Sequence, residues 1–124
     1  MLGSPGVTGV DATVAARDDG QSWLDEILAQ LRANRDWLAG AVAAELPGVR
    51  MRMPQATYLA WLDCRALELS CPAGQFFLDQ ARVGLNFGEA FGADYAGFVR
   101  LNFATPAAIL KEIVARMGET VRRR

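Results

Sequence analysis

The chain has 124 residues, 52% of them hydrophobic, with 13 basic and 14 acidic side chains and no histidine. That length suits one domain with a modest core, and a net charge of −1 gives the chain as a whole no pull toward nucleic acid or an anionic membrane. The missing histidine excludes histidine acid–base catalysis and histidine metal ligation.

Residues 1–20 open with Gly3, Ser4, Pro5, Gly6 and Gly9, and the run Val10 to Arg17 is compatible with a short helix. They contain neither a basic n-region nor an apolar h-region, and no apolar run reaches the ~18 residues that span a bilayer, so a cytoplasmic location is expected. Ser22 with Asp25 three residues on has the spacing of a capping box. Trp23, Leu24, Ile27, Leu28, Leu31, Trp37, Leu38, Ala41, Val42 and Leu46 then recur at helical spacing, which predicts a long amphipathic helix ending at Pro47-Gly48.

Val49, Met51 and Met53 alternate with Arg50 and Arg52, the pattern of a short strand with one wet face, closed by Pro54. Thr57 to Asp63 is rich in β-formers and apolar on both faces, as in a central strand covered on both sides. Cys64 and Cys71 fit neither a C-x-x-C motif nor a zinc site, so reduced thiols are expected; a bridge could form only across the short loop between them. Ser70 and Pro72 start a second helix with Phe76, Phe77 and Ala81 on its buried stripe, and Val83 to Asn86 is a brief strand. Gly88, Gly92 and Gly97 make a glycine-rich loop, but it lacks the order and the lysine of a phosphate cradle.

In Phe98 to Phe103, Val99, Leu101 and Phe103 share one face, while Phe98, Arg100 and Asn102 share the other. That second face carries a five-donor guanidinium able to grip a carboxylate at two points, with a side-chain amide two residues away. A solvated edge strand would show the same pattern. Thr105 caps and Pro106 starts a last helix, in which Ile109, Leu110, Ile113, Val114 and Met117 form the apolar stripe. The one lysine, Lys111, falls on the solvated side with Glu112, and Arg122-Arg123-Arg124 reads as a solvated tail. The sum is an α+β, two-layer domain: a short sheet of about four strands, helices mainly on one face, and Arg100 and Asn102 on the other.

Four collinear blocks, Trp23 to Leu38, Pro54 to Arg65, Phe76 to Gly92 and Gly97 to Leu110, resemble the C-terminal small domain of class I/II aminotransferase-superfamily enzymes. The resemblance falls in the cystathionine β-lyase-like (MalY/PatB-type) carbon–sulfur lyase branch. It implies that residues 1–20 are the remnant of an interdomain helical segment and that 21–124 form the small domain of a fold-type I pyridoxal-phosphate enzyme. It further implies that Arg100 binds the α-carboxylate of an amino-acid substrate, that Asn102 assists, and that Thr57 and Tyr58 line the substrate entrance unless they only pack in the sheet.

The family's cofactor is pyridoxal phosphate, held on a lysine that precedes the region matched here. Lys111 is in the wrong place for it, so no cofactor is expected on this chain alone. The chain then reads as a fragment inactive by itself, whose partners are a missing or separately encoded pyridoxal-phosphate-binding large domain and an amino acid, the complete enzyme being a homodimer. Lyase and aminotransferase are not separated by the resemblance. A non-catalytic binding or regulatory module, or one chain of a split enzyme, is the alternative. On any reading that removes the large domain, Val7, Val10, Val14 and Trp23 are left without partners.

Overall fold

The computed structural model describes residues 6–124, and these fall into two compact units that divide between Arg32 and Ala33. The opening residues Gly3, Ser4 and Pro5 lie outside the described part. The first unit holds α1 (Val7–Asp19) and the beginning of α2 (Gln21–Glu45). None of its described residues is buried: Val7 is 77% exposed and Trp23 65%, and Val10, Val14, Leu24 and Ile27 are also exposed. The apolar spacing of α2 is therefore matched by burial only further on, at Leu38, Ala41 and Val42. The Ser22–Asp25 capping box does not form. Ser22 already lies inside the helix, and it is the Gln21 amide that donates to the Asp25 carboxylate, at 2.8 Å.

The second unit is a two-layer α+β arrangement. Its sheet has four antiparallel strands in the order β1 (Arg50–Met51), β2 (Leu59–Asp63), β4 (Phe98–Asn102), β3 (Asn86–Phe87). The β2–β4 ladder runs from Leu59↔Asn102 to Asp63↔Phe98 and puts Ala60 beside Leu101 and Leu62 beside Val99. These four are buried, and with Phe103 they meet Phe77 of α3 (Ala73–Ala81) and Leu110, Val114 and Met117 of α4 (Ala107–Arg122) in one core. No helix among the described residues is long and apolar enough to cross a membrane.

Several expected boundaries move, each for a local reason. The strand expected from Thr57 starts at Leu59, because Thr57 takes a left-handed φ of 68° and its hydroxyl accepts the Leu59 N–H at 3.3 Å. Thr57 and Tyr58 are thus exposed and do not pack in the sheet. Strand pairing at Val49 to Met53 is confined to two residues, and Met53 is exposed. The third strand is Asn86–Phe87 and not Val83 to Asn86: Arg82 turns left-handed at φ 57° and the Val83 N–H still bonds the α3 carbonyl of Phe77, so pairing begins later. The Thr105 side chain does not cap α4. Pro106 occupies the cap, its carbonyl accepting from Ile109 and Leu110, which turns Ile109 outward and leaves the buried stripe at Leu110, Val114, Met117, Gly118 and Val121.

Asn34 is the one buried polar side chain among the described residues. Its amide nitrogen donates to the carbonyls of Phe103 and Thr105, at 2.9 and 2.8 Å, and so ties α2 to the chain leaving β4. Gly118 lets α4 approach the end of α2: a Cβ there would lie 2.8 Å from the Glu45 carbonyl oxygen. At the far end of β2, Asp63 accepts two guanidinium bonds from Arg65, at 2.9 and 2.8 Å. That bond, aided by the backbone N–H of Arg65 and the charge of Arg50, holds the Asp63 carboxyl below its ordinary range, against some opposition from burial.

Three outcomes are expected. Asn34→Ala strips partners from two carbonyls and should cost about 2–3 kcal/mol in urea unfolding, each lost bond with its unsatisfied group contributing on the order of 1 kcal/mol or more. Gly118→Ala should destabilise as well, although alanine is intrinsically the better helix former by about 1 kcal/mol, because the contact with Glu45 is backbone and cannot yield. For Asp63 the folded pKa is the lower one, so its pairing stabilises above the unfolded value of about 4 and is lost as pH falls through the folded value. The stability gap between wild type and Asp63→Asn should therefore be constant near neutrality and close below about pH 4; a gap that widens on acidification would contradict it.

Candidate substrate-carboxylate site

Because the β2–β4 register sends Ala60, Leu62, Val99 and Leu101 inward, it sends Trp61, Arg100 and Phe98 out of the other side of the sheet. Trp61 and Arg100 are directly opposite each other, and on the far side of β4 Asn86 is paired with the same arginine. The outer face is not bare. The segment 88–97, two short 3₁₀ turns at Gly88–Phe91 and Ala93–Tyr95, folds back over it. Trp61 makes edge-on contacts with Phe91 and Tyr95, both at 5.4 Å, and stacks on Phe98 at 5.8 Å. The loop reaches this position because Gly88 sits against the backbone carbonyls of Tyr95 and Phe98, where a Cβ would overlap both oxygens, and because the Glu89 carboxylate accepts the Gly97 N–H.

Arg100 lies half-buried in this setting. Its guanidinium carbon is 4.6 Å from the centroid of the Phe91 ring, and Nη2 donates to the Asn86 amide oxygen at 3.1 Å. Nε is closed off from solvent and has no partner among the described residues. No acid lies within ion-pair distance of it among those residues, whereas Arg65, over the Phe98 ring at the other end of the cluster, is occupied by Asp63. Arg100 is thus an unneutralised cation, partly dehydrated, with donors to spare, and a planar anion is the chemistry that matches it.

Asn102, on the same face, is engaged locally. Its side-chain oxygen accepts the Ala104 N–H at 2.8 Å, a local turn that ends β4, and its amide nitrogen makes no hydrogen bond among the described residues. Tyr58 uses its backbone carbonyl to accept from Phe103, at 2.9 Å, while its ring is exposed. Lys111 is exposed on α4 with its ammonium 6.0 Å from the Trp37 ring centroid, in the helical layer and away from the face that carries Arg100. It does not fit the part of a cofactor-anchoring lysine. Cys64 and Cys71 are free thiols; burial, with the nearby Asp63 charge, pushes Cys64 up to about 12, which makes it an inert core residue. No cluster of three or more potential ligands for a metal occurs among the described residues.

Asn86 and Phe91 were not singled out from the sequence. The available signal was composition: aromatic residues at 87, 91 and 95 between glycines at 88, 92 and 97 mark a loop with side chains that must cover something. Which strand residue they cover depends on pairing across 14 positions of sequence.

The chain is similar to known proteins over nearly all of its length. A relative from Mycobacterium leprae that carries the provisional name cystathionine beta-lyase is 47% identical over 94% of this chain and 32% of its own length. Cystathionine beta-lyase PatB of Bacillus subtilis is 35% identical over 94% of this chain and 30% of its own. Among solved structures, a provisionally named PLP-dependent beta-cystathionase from Corynebacterium diphtheriae superposes with a TM-score of 0.92 at 36% identity, covering 97% of this chain and 32% of that one. The chain therefore spans about a third of the length of the relatives it matches. The profile of the aminotransferase class I and II family matches residues 4–117, and the chain belongs to that family, with the fold of the small domain of fold-type I pyridoxal-phosphate enzymes.

Proposed function

We propose that this chain is the substrate-carboxylate-binding lobe of a pyridoxal-phosphate-dependent carbon–sulfur β-lyase, and that it works together with a cofactor-binding domain outside its own sequence. The observation that carries the proposal is Arg100: a guanidinium on the outer sheet face, with no acid paired to it among the described residues and one donor already stripped of water. Holding an α-carboxylate there fixes an amino acid by two parallel bonds and so sets the direction of its Cα substituents, which is the contribution a positioning arginine makes to rate. The names carried by the relatives favour a lyase over an aminotransferase.

The cofactor must come from elsewhere. Pyridoxal phosphate, when bound in such an enzyme, supplies an electron sink for a carbanion at Cα. Lys111 is the only lysine and faces solvent beside Trp37, so the anchoring group is assigned to the two thirds of the relatives' length that this chain does not span. The exposed Val7, Val10, Val14, Trp23, Leu24 and Ile27 supply an apolar surface for that domain to cover, and in the complete assembly a homodimer is expected.

The test joins this chain to the cofactor-binding portion of PatB and follows thiol release from cystathionine. Arg100→Ala should lower kcat/KM by an amount equivalent to about 2–4 kcal/mol, because it leaves a partly desolvated carboxylate unpaired. Arg100→Lys should recover only part of that loss, since an ammonium cannot reproduce the fork. Cofactor absorbance should stay the same in both variants; its disappearance would mean that Arg100 serves the fold or the cofactor and not the substrate. The 124-residue chain by itself should show no imine absorbance with pyridoxal phosphate, and Lys111→Ala should change nothing.

A further inference from the structure

Arg65 and Arg100 lie on the same outer face at opposite ends of one aromatic cluster, and they are held in opposite ways. Arg65 is gripped by a carboxylate, through two bonds from its guanidinium to Asp63. Arg100 is gripped by a neutral amide, Asn86, in the adjacent strand and in the same cross-strand row. The difference matters electrostatically. A carboxylate would orient the arginine and at the same time cancel its charge and fill the sites an incoming anion needs, whereas an amide oxygen takes one N–H and leaves the full positive charge in place.

The geometry points to Asn86 as a positioning residue for Arg100. Nη2 bonds Asn86, and the guanidinium carbon lies over the Phe91 ring, 4.6 Å from its centroid. Two constraints, a hydrogen bond at one nitrogen and a ring against the central carbon, restrict a group whose side chain would otherwise sample many rotamers. Nη1 makes no hydrogen bond among the described residues, and Nε is dehydrated without an acceptor. Nη1, with the second N–H of Nη2, is thus the edge available to a ligand, since Nε is closed off from solvent. Both restraining residues come from the short stretch Asn86 to Phe91 and neither from the strand that carries the arginine. This inference rests on the carboxylate role proposed for Arg100 and adds the residue that prepares it.

The test uses the full 124-residue chain labelled with ¹⁵N, with the Arg100 side-chain signals assigned by their loss in Arg100→Lys. Without ligand, rotation of the Arg100 guanidinium amino groups should be slow in wild type, faster in Asn86→Ala, and slow again in Asn86→Asp, with the backbone amide spectrum away from β3 unchanged. L-alanine at millimolar concentrations should shift the Arg100 signals, and L-alanine methyl ester, which has no carboxylate, should not. Asn86→Ala should weaken the L-alanine response about fivefold, the worth of one orienting hydrogen bond. Asn86→Asp should abolish it even though the arginine is held, an outcome that a merely structural role for Asn86 does not produce. Unchanged rotation and unchanged affinity in Asn86→Ala would overturn the proposal. A wild-type guanidinium that is slow to rotate yet ignores L-alanine would instead sink the carboxylate reading of Arg100, and with it the purpose assigned to Asn86, while the rotation data would still show that the two side chains are coupled.

Discussion

The pairing of β2 with β4 is the constraint on which the rest of the structure depends. Five residues of each strand are matched antiparallel, and because side chains alternate, that one register assigns every residue to a layer. Ala60, Leu62, Val99 and Leu101 go to the core against Phe77, Leu110, Val114 and Met117; Trp61, Phe98 and Arg100 go to the opposite side. A slip of β4 by one residue would put a guanidinium into the core and Val99 and Leu101 into water. Burying an unpaired charge costs far more than the apolar contacts return, so the register is strongly determined.

Polar groups are placed in this molecule according to what each must do. Asn34, buried, donates both amide hydrogens to backbone carbonyls and joins a helix to a strand end. Asp63 and Arg65 neutralise each other at an exposed corner, where such a pair contributes little to stability. Arg100 is alone in keeping its charge on the aromatic face, and the neighbours that hold it are an uncharged amide and a phenyl ring. A cation kept unneutralised at a partly dehydrated position is a local cost to the fold, and costs of this kind concentrate where a ligand is to be met.

Much of this was legible in the residues and some was not. The long helix ending before Pro47, the helix after Pro72, the last helix and the opposite facing of Arg100 and Val99 all follow from period and punctuation. Strand starts did not. Thr57, inside one expected strand, and Arg82, just before another, each adopt a left-handed backbone that L side chains seldom take, so pairing starts later than β-propensity suggests. The stripe over Trp23 to Ile27 is exposed within this chain, as expected for Trp23 without the large domain, because period reports which face is apolar and says nothing of what covers it.

The sequence by itself determined the two-layer class, the family, and the face on which Arg100 stands, because these depend on local alternation and on collinear blocks of residues. It also determined that no second lysine exists to anchor a cofactor. Only the tertiary structure decided what surrounds the arginine. Asn86, Phe91 and Trp61 reach Arg100 through strand pairing and through a loop folded back over the sheet, contacts between residues far apart in the chain. Asn102, two positions away and on the same face, was drawn off into a turn by the Ala104 N–H. Alternation fixes the side of a sheet a residue occupies, but partners are chosen by long-range packing, and a linear pattern does not carry that information.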